Sequence, residues 1–117
     1  MRVTNAPASR ERRRRRLELA KGFRGSRSKL FRQATEAVNR AMRLAYVHRK
    51  ERKADFRSLW MVRISAACRM RDLSYSRFIE GLKKAGVGLN RKMLSEIAIH
   101  DPQGFDQIVG VARKALG

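Results

Sequence analysis

Positive charge is concentrated in the first half of this 117-residue chain, and no other feature restricts its fold so strongly. Residues 1–60 contain 19 Lys and Arg against 5 Asp and Glu, whereas the remaining residues contain 10 and 5. The formal net charge of the whole chain is +19. Because like charges repel one another in a compact state, a negatively charged partner is needed to compensate this charge. The candidates are nucleic acid, an anionic membrane and an acidic protein. Most of these cations are Arg, whose planar guanidinium binds phosphate through two hydrogen bonds.

The charge asymmetry and the helical spacing of apolar residues predict an all-α protein in two parts. Residues 1–57 are predicted to form a long basic helical extension, and residues 58–117 a small domain of about four short helices. No segment alternates with period two for long enough to form a strand. Neither Gly nor Pro interrupts residues 28–71. This permits one long helix, either continuous or bent between Val47 and Lys50.

The extension is expected to begin with an extended tail over residues 1–9, followed by a helix from Arg10 to Lys21. Gly22 and Gly25 predict a tight turn after that helix. One of two serines, Ser26 or Ser28, is then predicted to cap the long helix. Its apolar stripe before residue 50 is narrow and rich in Ala, so we expect little core in this half and no globular fold.

Helix caps divide the second half clearly. Ser74, Asn90 and Asp101 are predicted N-caps, and Gly86 is a predicted C-cap. Pro102 fits the first turn of the last helix. The residues that we expect inside this domain are Phe56, Leu59, Trp60, Ile64, Ala67, Cys68, Tyr75, Phe78, Ile79, Leu82, Met93, Leu94, Ile97, Ala98, Phe105, Ile108, Val109, Ala112 and Leu116.

Charge on every face of the extension favours contact with phosphates on several sides, as inside a folded RNA. The residues of the extension that this pattern predicts to contact RNA are Arg10, Arg12, Arg13, Arg14, Arg15, Arg16, Arg32, Arg40, Arg43, Tyr46, His48, Lys50 and Lys53. A second cluster is predicted in the domain, because the turn from Ala85 to Asn90 brings Lys83 and Lys84 near Arg91 and Lys92, and Arg63 and Arg69 would extend it. The alternative for this cluster is an ordinary solvated surface. Phe23 and Tyr46 fit base stacking and packing equally well. Phe56 and Trp60 share a stripe with Leu59 and Ile64, so packing is favoured for them.

The titratable residues give little support to catalysis. His48 and His100 have no partner at metal-ligand or triad spacing, and Cys68 falls on the apolar stripe, where a core role is favoured. We therefore expect no enzyme, no catalytic residue, no metal site, no cofactor and no small-molecule substrate. The apolar runs are too short for a membrane helix, and no secretory signal is recognisable. A protein of the cytoplasm, or of an organelle of bacterial descent, is expected.

Two other classes of protein fit parts of the pattern. A DNA-binding regulator with a basic helix would need a stripe of leucine heptads for dimerisation, which the chain lacks. A membrane-active amphipathic peptide would need a wide apolar face on its basic segment, and here that face is narrow.

Five stretches in order carry a resemblance to a known family. They are Ala20–Lys29, Tyr46–Lys53, Asp55–Arg69, Tyr75–Ala85 and Asn90–Leu94. Together they closely resemble the bacterial large-subunit ribosomal protein L-twenty family, from about residue 10 to the last residue. The first nine residues depart from the usual start of that family.

The resemblance implies a basic helical extension threaded into the large ribosomal RNA and a helical domain at its surface. It implies a structural constituent of the large subunit, located in the cytoplasmic ribosome, which supports subunit assembly. The implied partners are 23S-type ribosomal RNA and neighbouring large-subunit proteins. In some bacteria the family also represses translation of its own messenger RNA. The matching positions carried over as RNA contacts are Lys21, Arg24, Arg27, Lys29, Arg49, Arg52, Arg57, Arg63, Lys83, Lys84, Arg91 and Lys92.

Overall fold

A computed structural model describes residue 2 and residues 4–117 of the chain. Within them five α-helices occur and no strand, which confirms the all-α prediction. The helices are α1 (Ala6–Leu19), α2 (Phe31–Arg69), α3 (Tyr75–Ala85), α4 (Arg91–His100) and α5 (Pro102–Leu116), with a short 3-10 helix at Gly25–Arg27.

The chain divides into two compact units, which we name the N-terminal unit (Met1–Lys50) and the C-terminal unit (Glu51–Gly117). The functional boundary predicted between residues 57 and 58 was placed by charge and side-chain size rather than by packing, and it stays a prediction. Residues of α2 are helical without interruption from Phe31 to Arg69, so the helix does not break between Val47 and Lys50.

The start of α1 corrects the extended tail predicted for residues 1–9. Helix α1 begins at Ala6, and its first turn contains Pro7. Proline is tolerated there because the first N–H groups of a helix have no partner within it. Asn5 precedes the helix with φ 60°, a left-handed conformation that Asn adopts more readily than most residues. The parts of the predicted tail at positions 1 and 3 lie outside the described residues.

The turn after α1 contains the two predicted glycines, both with positive φ, at 92° for Gly22 and 65° for Gly25. The prediction that Ser26 or Ser28 caps the long helix is wrong, because α2 begins at Phe31. The Ser28 hydroxyl instead donates a hydrogen bond of 3.1 Å to the carbonyl of Gly25 within the short 3-10 helix. Ser28, one of the two predicted caps, therefore contributes to the 3-10 helix and not to the start of α2.

The N-terminal unit contains a small apolar cluster, in a half where little core was expected. Ala20, Ala34 and Val38 are buried, and Leu17 and Phe23 pack against them. The cluster joins residues of α1, of the turn that follows it and of α2. The cluster was not predicted because it requires α1 to lie beside α2, which no local pattern in the sequence indicates.

The core of the C-terminal unit is formed by the end of α2 and by α3, α4 and α5. Its buried residues are Ile64, Ala67, Cys68, Phe78, Leu82, Leu94, Phe105, Val109 and Ala112. The rings of Phe78 and Phe105 are in contact, with centroids 5.3 Å apart. Three residues predicted inside are exposed at the surface, Phe56 by 47%, Met93 by 42% and Leu59 by 39%.

All four predicted caps of this unit are confirmed. The side chains of Ser74, Asn90 and Asp101 accept hydrogen bonds from backbone N–H groups three residues later, at 3.3, 2.9 and 3.0 Å. Gly86 ends α3 with φ 72°, a conformation that glycine adopts without the steric cost of a Cβ. The caps fix where each short helix begins and therefore which face it turns to the core.

Candidate nucleic-acid interface

The predicted contact residues lie almost entirely at the surface. All of them are exposed except Arg16, Arg63 and Arg91, which are half-buried. Within the described residues few Asp or Glu are near enough to neutralise them. On α1, Glu11 lies 2.7 Å from Arg14 and 3.6 Å from Arg15, while Glu18 is 3.9 Å from Arg14. These exposed pairs are weak in water, so the helix keeps most of its capacity to attract an anion.

One group of predicted cations shares a depression in the N-terminal unit. Arg10, Arg13, Arg14 and Lys21 line it, together with Leu17, Ser28 and a single acidic residue, Glu18. A concave surface with several cations and little opposing charge concentrates a positive potential. It is suited to a phosphate group, which Arg binds with paired hydrogen bonds. Three of these cations belong to α1 and Lys21 to the turn that follows it.

Two aromatic rings of the N-terminal unit make cation–π contacts with neighbouring side chains. Tyr46 is 44% exposed, and its ring lies 5.4 Å from the Arg43 guanidinium and 4.4 Å from the Lys50 ammonium. The guanidinium of Arg13 lies 5.7 Å from the ring of Phe31. Cation–π contacts of this kind order long side chains. Tyr46 therefore positions two cations, whereas Phe23 packs against the apolar cluster.

The first turns of the C-terminal unit also present cations. Arg52, Lys53 and Arg57 are exposed on α2, and no ion pair with an acidic side chain engages them in the described part of the chain. Phe56 lies between Lys53 and Arg57 along the helix, and Trp60 follows Arg57. The rings of Phe56 and Trp60 are stacked at a centroid distance of 6.3 Å. The packing predicted for Phe56 is wrong, since this ring remains outside the core.

The predicted second cluster contains cations in different states. Lys83 and Lys92 are exposed, while Lys84 pairs with Glu80 at 2.9 Å. Arg91 is turned towards the domain, where its Nε donates a hydrogen bond of 2.8 Å to the hydroxyl of Tyr75. Residues 86–90 connect the two helix ends that carry these cations. Lys83 and Lys92 are therefore the cations of this cluster that are most available to a ligand.

Other cations serve the fold or lie outside the predicted set. Arg71 follows α2, and its guanidinium hydrogen-bonds the carbonyl of Ala67 at 2.8 Å, pairs with Asp106 and lies 4.9 Å from the ring of Phe105. This arginine braces the domain. Arg2, Arg77, Arg113 and Lys114 are exposed cations that the sequence reasoning did not select. The only signal for them was their charge, because they lie outside the basic runs.

The sequence comparisons were decisive for the family. The model of the family described as Ribosomal protein L20 matches residues 2–108. The chain belongs to the ribosomal protein L20 family. It is 59% identical over 116 residues to the large ribosomal subunit protein bL20 of Chlamydia trachomatis serovar D, covering 99% of this chain and 94% of that protein. The bL20 proteins of Opitutus terrae and Pelobacter propionicus are 55% and 56% identical, each over 98% of this chain and over 91% and 98% of their own lengths.

L20 proteins are structural and non-enzymatic, which confirms the expectation that this chain is not an enzyme. Three of its titratable groups have structural partners or surroundings that explain their state. Burial raises the pKa of the Cys68 thiol to about 11, against a smaller opposing effect of Arg71. The hydrogen bond and positive charge of Lys84, helped by Arg77, hold the pKa of Glu80 below its usual value. His100 lies 3.3 Å from Glu96 at the end of α4.

Two further features of the described residues bear on function. No group of three or more His, Cys, Asp or Glu there is arranged to hold a metal ion. Among the same residues, no helix combines the length and the apolar character that crossing a bilayer requires.

Proposed function

We propose that this chain binds large-subunit ribosomal RNA directly and holds RNA segments together while the large subunit assembles. It acts in the ribosome of the bacterial cytoplasm, with neighbouring large-subunit proteins as its protein partners. The RNA contacts are the exposed cations named above, from the basic extension and from Lys83 and Lys92 of the C-terminal unit.

One observation carries this proposal. In the part of the chain that the structure describes, five of the 29 Lys and Arg side chains form an ion pair with Asp or Glu. The rest present their charge to the surroundings or to rings and hydrogen-bond acceptors. Phosphates neutralise such charges and release condensed counterions, which makes binding favourable and dependent on salt. Contacts of this type fix position on a folded RNA without reading a linear sequence.

The salt dependence of RNA binding tests the proposal. If about 8 phosphates are contacted, log K falls with log salt at a slope of about −6 to −7. Replacing Arg49 and Arg52 by Gln removes two exposed cations and should reduce the magnitude of the slope by about 2. Arg77→Gln is a matched control, because that side chain pairs with Glu80 at 3.3 Å and lies outside the predicted set.

A second measurement addresses the assembly. The tagged chain should sediment with the large subunit and its precursors in a sucrose gradient. Slopes that are equal for all three proteins, or a chain that stays at the top of the gradient, would contradict direct binding to ribosomal RNA.

A narrower observation favours repression of the chain's own messenger as an additional function. The C-terminal unit has its own core and its own exposed cations, so it can offer a second RNA a binding surface. Addition of the chain to in vitro translation of that messenger should lower the yield, and Lys83→Gln with Lys92→Gln should restore it. Equal yields with and without the protein would contradict this function.

A further inference from the structure

The aromatic pair of Phe56 and Trp60 lies outside the core of the C-terminal unit. The rings are one helical turn apart, with planes inclined by 30°. Phe56 is 47% exposed, and Trp60 is half-buried. Neither ring belongs to the buried cluster of this unit or to the apolar residues packed against it. Since the described core forms without this apolar surface, its exposure suggests that it binds something else.

The charges around the pair indicate the type of partner. On a helix, residues three and four apart lie on the same side. Arg52 and Lys53 therefore lie on the side of Phe56, and Arg57 and Arg63 lie on the side of Trp60. Within the described residues none of these four cations pairs with an acidic side chain. An apolar surface framed by cations complements a ligand with flat apolar groups on a negative backbone, which is the character of unpaired RNA.

The ring of Phe56 is also more open than that of Tyr46. Tyr46 holds Arg43 and Lys50 over its ring, whereas Phe56 has a stacking contact with Trp60 and no cation over its ring among the described contacts. The centroids of the pair are 6.3 Å apart. This distance is too short for a further ring to enter between them, and because Phe56 is 47% exposed, its outer side is where a planar group can stack.

We propose that Phe56, supported by Trp60, is a stacking platform for one unpaired nucleobase of RNA. Arg52 and Lys53 lie where they can bind the phosphates next to that base. The inference rests on the proposed binding of ribosomal RNA and deepens it, because it assigns an aromatic contact to a single-stranded element. A duplex buries its bases in the stack and offers this platform no base to bind.

Binding by the full-length chain tests the platform. The probes are a mixed-sequence single-stranded RNA oligonucleotide and a fully paired duplex of the same sequence, at raised ionic strength to weaken the purely ionic contribution. Phe56→Leu keeps an apolar residue and removes the ring, and it should weaken oligonucleotide binding roughly 5- to 100-fold. Phe56→Tyr should bind within about twofold of the original chain, because a ring of similar stacking strength remains.

Two controls make the comparison specific. Val62→Ala shortens another exposed apolar residue of α2, which is 65% exposed, and should leave both affinities unchanged. Duplex affinity should be the same for all four proteins. Circular dichroism should show equal helix content, since Phe56 lies outside the core.

Trp60 supplies an independent signal, because it is the single Trp of the chain. Its fluorescence should be quenched or shifted by the oligonucleotide and much less by the duplex, and Phe56→Leu should reduce the change. Oligonucleotide affinity that is unaffected by Phe56→Leu would overturn the platform. So would a variant that keeps RNA affinity but loses self-association, because the surface would then bind protein. In both cases salt-dependent RNA binding survives, whereas a chain that binds neither RNA even at low ionic strength overturns the proposed function itself.

Discussion

Replacement of Gly81 by Ala should destabilise the C-terminal unit, although Ala normally favours a helix. A Cβ on Gly81 of α3 would lie 2.5 Å from the carbonyl oxygen and 2.9 Å from the Cβ of Ala112 on α5. The first of these atoms belongs to the backbone and cannot rotate away. The two helices would have to separate by roughly 1 Å to restore an ordinary contact of about 3.5 Å.

The expected magnitude follows from two opposing effects. Overpacking a close helix contact costs about 1–3 kcal/mol, and the change from Gly to Ala in a helix returns about 1 kcal/mol. Because the atom approached at 2.5 Å belongs to the backbone, the upper part of that cost applies, about 2–3 kcal/mol. We therefore expect the free energy of unfolding to fall by about 1–2 kcal/mol. For a unit of this size that corresponds to a melting temperature lower by about 5–15 °C.

Urea unfolding followed by far-ultraviolet circular dichroism measures this change. Gly110→Ala on α5 is the matched control, because no atom lies within 4 Å of the position of its Cβ. That variant should gain about 0.5–1 kcal/mol from helix propensity alone. Should Gly81→Ala prove as stable as the original chain, or more so, the close contact between α3 and α5 would not exist in solution.

Three further changes probe the same domain, each by urea unfolding. Burial raises the folded-state pKa of Cys68 from 9.0 to about 11. The buried neutral thiol therefore stabilises the fold fully below pH 9, and the free energy of unfolding should fall by as much as about 2 kcal/mol as the pH rises towards 11. Cys68→Ala should make the free energy of unfolding less dependent on pH in this range, and parallel pH curves for the two proteins would contradict the shift. Ser95 is fully buried, and its hydroxyl has no hydrogen-bond partner among the described residues. Ser95→Ala should therefore raise the free energy of unfolding by up to about 1 kcal/mol. A marked decrease in that free energy would show that the hydroxyl has a partner. Asp101→Ala removes the cap of α5 and should cost about 1 kcal/mol, with Asp101→Asn close to the original chain; equal stability of all three would show that the cap is not formed.

The caps and the core of the C-terminal unit were predictable because they depend on local chemistry. Ser74, Asn90 and Asp101 each stand one residue before a helix, and the side chain alone decides the cap. Apolar residues at helical spacing likewise located Phe78 and Phe105 in the core. These features need no knowledge of the distant chain.

Features that depend on distant contacts were not predictable. Whether Phe56 packs in the core depends on how far the other helices extend along α2. The spacing of apolar residues around Phe56 does not indicate that distance. The small cluster around Ala20 requires α1 to fold back beside α2, which the charge of α1 argued against. The close contact between Gly81 and Ala112 was likewise not predictable. Glycine within a helix usually indicates lower helix stability and not the close approach of another helix.

The exposed cations were predictable as a class, since charged side chains seldom enter a core. Their individual states were not. Arg91 and Arg71 are turned to Tyr75 and Phe105, respectively, and only the folded domain supplies those partners. Which of the exposed cations contact RNA stays a prediction.

The N-terminal unit combines the arginine run from Arg12 to Arg16 with a very small apolar cluster. Salt should therefore have opposite effects on this unit in the absence and in the presence of RNA. In the absence of RNA, added electrolyte screens the mutual repulsion of these arginines and should make α1 more helical. With RNA present, the same electrolyte competes for the phosphates and should release the chain. A single titration followed by circular dichroism and by binding would therefore show ordering of the free protein and loss of the complex over the same range of concentration.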